Sequence, residues 1–273
     1  MRVLISGAAS GIGAAAVKYF ASKADEVYGI DIIPCEDSSL AGSFIADVSD
    51  EESLLAVKEK LSDSNVTFDV LISVAGIHRM ASLVETDTYT LRRVVEVNLI
   101  GAMMFNRIFH SLLVAKGRVV IVTSEVAALD PMPFNGLYSM SKTALDSYSQ
   151  ALRQELNLLG QKVVTVRPGA IKTPLCQSSL DATARLSETT ELYKNQSIHF
   201  LGITKKFMGE PMPPQRLAKI IYKASSAKHP RLNYNKHRNP GLVLLGVLPR
   251  RVQCAVIKLL LNRKAHTRVN KTK

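Results

Sequence analysis

The chain has 273 residues, 47% of them hydrophobic, with three cysteines and a formal net charge of +12. This length and apolar content suit one large α/β domain with a substantial core and exclude a disordered or fibrous chain. Cys35, Cys176 and Cys254 are odd in number and widely separated, which argues against a disulfide framework and a zinc site and fits a reducing, cytoplasmic setting without a bound metal.

A first strand, RVLIS, is expected at about 2–6, so no secretory signal is expected ahead of it. It runs into SGAASGIG and then a helix-forming stretch at about 11–23. Strand, glycine-rich turn and helix N-terminus form an anion site: glycines allow close backbone approach, and free amides and the helix dipole face a pyrophosphate. The residues concerned are Gly7, Ser10, Gly11, Ile12 and Gly13, with the glycines spaced G-x-x-x-G-x-G. The second strand, at about 26–31, ends on Asp31. A carboxylate there can accept hydrogen bonds from ribose hydroxyls and would repel a 2′-phosphate, and the expected cofactor is therefore NAD rather than NADP.

Further strands are expected at about 43–46, 69–73, 118–123 and 162–167, and helices at about 50–61, 88–115 and 136–159. Near-continuous apolar runs such as VVIVT indicate parallel strands buried on both faces. The alternation predicts a Rossmann-type doubly wound parallel sheet in three layers, with a ligand crevice at the carboxyl ends of the strands. Ser6, Asp31, Ser73, Ser124 and Pro168 all fall at or just after such ends.

Ser124 closes the fifth strand, and fourteen residues later GLYSMSK places Tyr138 and Lys142 one helical turn apart. A phenol with a reference pKa near 10 is a poor acid–base group at neutral pH, and a cation held nearby would lower it. A serine hydroxyl could hold the substrate oxygen while the proton moves.

Together these motifs resemble the short-chain dehydrogenase/reductase family from residue 1 to about residue 175. SGAASGIG is similar to TGxxxGxG with Ser6 for threonine, VEVNLIG to the helix asparagine motif, YSMSK to YxxxK, and RPGAIKT (167–173) to PGxxxT. One motif departs: NNAG reads SVAG, with Ser73 and Val74 for the asparagines, while Ala75 and Gly76 remain. Serine replaces only part of the side-chain hydrogen bonding expected there. The resemblance implies Tyr138 as general acid or base and Lys142 as its pKa-lowering partner and a ribose ligand. It further implies Ser124 as holder of the substrate oxygen and Asn98 as part of a proton relay. It also implies cofactor contacts from Asp47 and Val48 at the adenine, from Ala75 and Gly76, and from Pro168, Gly169, Ile171 and Thr173 at the nicotinamide.

The implied activity is hydride transfer between NAD and a secondary alcohol or ketone. Local likeness to hydroxysteroid and retinol dehydrogenases suggests a lipophilic substrate, with Met132, Pro133 and Phe134 as pocket material. Alternatives are a non-catalytic NAD-binding sensor or scaffold, or a reductase of acyl groups on an acidic carrier. Residues 174–212 are expected to form a long loop that lids the substrate. Family members commonly pair through helices equivalent to 88–115 and 136–159, so a homodimer or homotetramer is expected.

A Rossmann domain over 1–235 is expected to be followed by a helical extension, 236–273. From Lys205 to Lys273 there are 17 Lys or Arg against one acidic residue, Glu210. The apolar runs at 241–248 and 252–261 fall short of the roughly 20 residues that span a bilayer. Either apolar faces flanked by basic residues within 240–264 lie on an anionic membrane, or these helices cover the pocket or a partner subunit. Nucleic-acid binding is not expected, since the basic tail lacks interleaved aromatics.

Overall fold

The computed structural model describes residues 1–207 and 209–262. Seven strands form one parallel sheet: β1 (Arg2–Ser6), β2 (Glu26–Asp31), β3 (Gly42–Ile45), β4 (Phe68–Ser73), β5 (Leu113–Val122), β6 (Lys162–Pro168) and β7 (Asn233–Lys236). Their order is β3-β2-β1-β4-β5-β6-β7. The order reverses between β1 and β4, and the ends of those strands open the crevice of a doubly wound fold.

Both faces of the sheet are apolar because alternate residues on each strand point opposite ways. Leu4, Leu71, Val119 and Ile121 pack with α2 (Glu51–Asp63), α4 (Gly101–Phe109) and α5 (Gly136–Leu158). Val3, Ile5, Val70, Ile72, Val120 and Val122 pack on the other side with α1 (Gly11–Ala21) and α8 (Pro214–Ser226). The three expected layers are present. Arg153 of α5 reinforces one edge, donating to the Val163 carbonyl (2.9 Å), Thr165 Oγ1 (2.7 Å) and the Leu232 carbonyl just before β7 (3.3 Å).

Two regions differ from the sequence expectation. The single helix expected over 88–115 is instead α3 (Thr88–Val95), a π-helical turn (Glu96–Ile100), α4 and a 3₁₀ turn, with β5 starting at Leu113. The π turn coincides with Asn98, whose side chain leaves the helix to grip the chain after β4. The expected loop at 174–212 holds two helices, α6 (Pro174–Thr189) and α7 (Lys194–Phe207). Thr173 caps α6 through its hydroxyl, with Pro174 in the first turn, a start signal that polar composition hid.

Past β7 come α9 (Pro240–Gly246) and α10 (Arg250–Leu261). Ile257 and Leu261 of α10 join a third apolar cluster with Phe134, Leu186, Phe200 and Ile203, so the inner face of α10 packs against α6 and α7. Gln253 and Arg250 both bind Asp130. Residues 263 and 264 of the proposed membrane segment lie outside the described residues. Among the described residues no helix is long and apolar enough to cross a membrane, and no cluster of His, Cys, Asp or Glu could hold a metal ion.

Candidate active site

A cavity of about 280 Å³ runs along the carboxyl ends of β1, β2 and β4. Its lining includes Gly7, Ser10, Gly11, Ile12, Asp31, Asp47, Val48, Ala75, Gly76 and Thr173. It continues into a second cavity of about 210 Å³, sharing Ile12, Val74, Gly76, Thr173 and Leu175, around Ser124, Tyr138, Lys142, Pro168, Gly169 and Ile171. Of the catalytic and cofactor-binding residues expected, only Gly13 and Asn98 line neither cavity. Both act from just behind the walls.

Two glycines make the first wall possible. Gly7 has φ +73°, and a Cβ there would lie 2.8 Å from the Ala75 backbone; a Cβ on Gly13 would lie 1.8 Å from the Gly7 carbonyl oxygen. The strand-to-helix turn therefore closes only without side chains. Ser10, at the α1 N-cap, makes no side-chain cap hydrogen bond, whereas Asp50, Asp87 and Thr173 cap α2, α3 and α6. First-turn amides of α1 lack a side-chain cap beside the cavity, and this arrangement fits the pyrophosphate of a nicotinamide dinucleotide.

Asp31 accepts the Ala9 amide (2.9 Å) and faces the cavity beside Ile32 and Ile33. Asp47 is bound by Ser49 through amide (2.9 Å) and hydroxyl (2.6 Å), and by Arg93 (2.7 Å). Burial pulls the Asp47 carboxyl up, but these bonds outweigh it and hold the group below the usual carboxylate range. Arg93, not anticipated from sequence, is the cation of this wall.

At the other end, Tyr138 and Lys142 project from the first turns of α5, and Ser124 ends the loop from β5. Lys142 is 4% exposed, and its Nζ stands 5.9 Å from the Tyr138 ring centroid. A Cβ on Gly76 would lie 3.3 Å from that Nζ and 3.1 Å from Asn98 Oδ1. Asn98 accepts the Ile77 amide (2.7 Å) and donates to the Ile77 carbonyl (2.9 Å) and Ser141 Oγ (3.0 Å), locking the loop after β4 against α5. Its side chain acts as this clamp, which the motif alone did not disclose. Ser73, standing where the family has asparagine, still donates to Asn106 Oδ1 of α4 (3.1 Å).

The electrostatics depart from expectation. Burial drives the Tyr138 phenol up to about 12, opposed only by its hydrogen bond with Ser124, and burial pushes the Lys142 ammonium down to about 8. The lowering of the phenol expected from Lys142 is absent: desolvation dominates both groups, and the ammonium sits by Gly76 and Asn98. Partial exposure of Tyr138 to the cleft tempers the upward push. At neutral pH this pair is a phenol ready to give a proton beside a buried cation.

Three neighbours, His78, Asn135 and Glu125, were not foreseen. The His78 ring packs at a tilt against the Tyr138 ring with centroids 4.3 Å apart; His78 binds Asn135 Oδ1 through Nε2 (2.9 Å) and is pushed down to about 4 by burial, so it is neutral. Glu125, directly after Ser124, is buried, and burial raises its carboxyl against the pull of the Asn239 amide (2.6 Å). That bond ties the start of α9 to the Ser124 loop. Adjacency to the motif residues was the only sequence signal for any of them. Met132, Pro133 and Phe134 prove not to line the cavity around Tyr138. Phe134 has φ +63°, which turns its ring into the cluster against Tyr193 and Phe200, and Asn135 takes the wall position.

Comparison with known proteins agrees with this geometry. Residues 1–184 match the family model described as short chain dehydrogenase. A 3-ketodihydrosphingosine reductase of Bacteroides thetaiotaomicron is 26% identical over 229 residues, 84% of each chain. An NADPH-dependent 1-acyldihydroxyacetone phosphate reductase of Schizosaccharomyces pombe is 35% identical over 131 residues, 47% of this chain and 44% of that protein. The chain spans about half the length of the first curated relatives it matches, 54% of one and 40% of another. A solved 4-hydroxyisoleucine dehydrogenase complexed with NADH superposes with a TM-score of 0.67 at 23% identity, covering 88% of this chain and 98% of its own.

Proposed function

Because the chain belongs to the short-chain dehydrogenase/reductase family, oxidoreductases that use nicotinamide cofactors, we propose that it transfers hydride between NAD(H) and a lipophilic secondary alcohol or ketone. The observation that carries this reading is the convergence of Ser124, Tyr138 and Lys142 on the cavity that continues from the glycine-lined cleft. When bound, the cofactor supplies or accepts the hydride. Gly7, Ser10, Gly11, Ile12 and Gly13 would hold its pyrophosphate, Asp31 its adenosine ribose, Asp47 and Val48 its adenine. Ala75 and Gly76 would lie along it, Lys142 would hold the second ribose, and Pro168, Gly169, Ile171 and Thr173 would flank the nicotinamide. Tyr138 gives its proton to the substrate oxygen or takes it back, Ser124 steadies that oxygen, and Asn98 keeps the wall behind Lys142 in place.

The pocket beside Tyr138 is not purely apolar. Glu125, His78 and Asn135 face it, which suits a lipophilic ketone bearing a polar group near the reacting carbon. The sphingoid name of the Bacteroides relative points the same way. On this reading residues 1–235 form the dinucleotide-binding domain, with 174–212 as its cover, and 236–273 the extension.

NAD is preferred over NADP because Asp31 faces the ribose end and Arg93 is already engaged by Asp47. Graded ketones assayed with NADH and NADPH test substrate and cofactor together. Turnover is expected with NADH foremost, and Asp31→Ala should weaken NADH binding and narrow the preference, each by about tenfold for the loss of one charged hydrogen-bonding group. Faster turnover with NADPH would reject the cofactor assignment, and no turnover with any ketone or alcohol would leave the sensor or scaffold reading.

The chain should also self-associate. α4 and α5 border an open groove lined by Ile100, Met103, Tyr148, Leu152 and Leu159, an apolar seam between the helices through which family members pair. Light scattering should return a dimer or tetramer at micromolar concentration, and a monomer would contradict this.

A further inference from the structure

α10 has two apolar faces, and the fold uses one. Gln253, Ile257 and Leu261 turn inward onto Asp130 and the Phe134–Phe200 cluster. Val252, Ala255, Val256 and Leu259 recur at i, i+3, i+4 and i+7 on another stripe. There Val252 is 44% exposed and Leu259 65%, with Arg251 and Lys258 beside the stripe, both exposed. α9 repeats the division. Leu242, Leu245 and Gly246 face Val126 and Leu129, while Leu244 and Val247 are 68% and 73% exposed.

We propose that the outer face of α9 and α10 is a docking surface for an anionic lipid bilayer. Its apolar stripe is narrow and bordered along one edge by the cations Arg251 and Lys258, a pattern found in helices that lie in the plane of a membrane interface. Charge selects the occupant. Among the described residues the charged side chains beside the stripe, Arg251 and Lys258, are both basic and exposed, so stacking this face on a second copy would oppose cation to cation. Acidic headgroups offer the complement, and side chains as short as valine and leucine enter only the headgroup boundary. Because the inner face of α10 closes the α6–α7 cover, docking would bring that cover, and the pocket beneath it, against the bilayer.

The intact protein should co-sediment with vesicles of phosphatidylcholine mixed with phosphatidylglycerol and stay in solution with phosphatidylcholine alone. Salt at about 1 M, where the Debye length shrinks to about 3 Å, should release it. Arg251→Gln and Lys258→Gln should each weaken partitioning about fivefold, the equivalent of roughly 1 kcal/mol per basic residue near such a surface. Val252→Asp with Leu259→Asp should reduce it by at least about tenfold. These side chains are exposed, and unchanged circular dichroism and melting temperature confirm that each variant is folded. Equal binding to both vesicle types, binding indifferent to the Val252 and Leu259 changes, or no binding would overturn the proposal. So would a wild-type dimer that the double variant splits, since the face would then belong to a second copy. None of these measurements depends on catalysis, so failure here is distinguishable from failure of the dehydrogenase reading.

Discussion

Tyr138→Phe should lose about 10²–10⁴-fold in turnover while NADH binding persists, the range expected when a positioned general acid or base is removed. The substitution keeps the ring, and with it the tilted contact with His78 at 4.3 Å, so the local packing survives. What disappears is the hydroxyl, in the cavity that Ser124 also lines. Because burial pushes the phenol up to about 12, it stays protonated throughout the neutral range and is set to donate, as ketone reduction requires. Single-turnover kinetics with tryptophan-free protein allow cofactor binding to be followed by NADH fluorescence alone. A variant that retains substantial turnover would remove Tyr138 from the mechanism.

Lys142→Met should have opposite effects on activity and stability. The Lys142 ammonium is 4% exposed, and burial lowers it from 10.5 to about 8. The unfolded chain binds this proton below about 10.5, the folded chain only below about 8. Stability from this group is therefore present above the unfolded value and lost as pH falls through the folded one. At pH 7 the native protein carries a buried cation, and among the described residues its ammonium has no hydrogen-bond partner. Methionine fills similar space without charge, so urea unfolding at pH 7 should show a gain on the order of 3 kcal/mol that fades toward pH 10.5. Turnover and NADH affinity should both fall sharply. A variant no more stable than wild type at pH 7 would show that the cation is solvated after all. Stability given up at a functional group is a common exchange in enzymes.

The sheet and the site were legible in the sequence to different degrees. The central strands stood out because apolar runs such as VVIVT must be buried on both faces, and Leu4 and Ile5 do face opposite layers. β7, NYNK, has no such run. It owes its strand conformation to pairing with β6, a partner distant in sequence, and local pattern does not show this. The π turn at Asn98 was hidden for a similar reason, since its cause is the Ile77 backbone across the cleft. Tyr138, Lys142, Ser124 and the glycine loop are carried by spacing along single elements and could be read directly. His78 and Glu125 come to Tyr138 from other loops, and the direction of the phenol shift depends on desolvation, which only packing reveals.

The register of β7 against β6 also sets an order of events during synthesis. Thr165 through Pro168 pair with Asn233 through Lys236 only after α6, α7 and α8 have been made. Until then β6 is the last strand of the sheet, with one row of backbone groups open along its length. Closing so long a connection carries an entropy cost that comes late and rises only slowly with its length. A nascent chain halted in α8 therefore presents a parallel edge able to recruit a foreign strand. Arg153 is synthesised before that edge, on α5; its bonds to the Val163 carbonyl and Thr165 need only β6, whereas its bond to the Leu232 carbonyl must wait for β7. The guanidinium puts a charge on the unfinished edge and then becomes the clasp that receives the arriving strand.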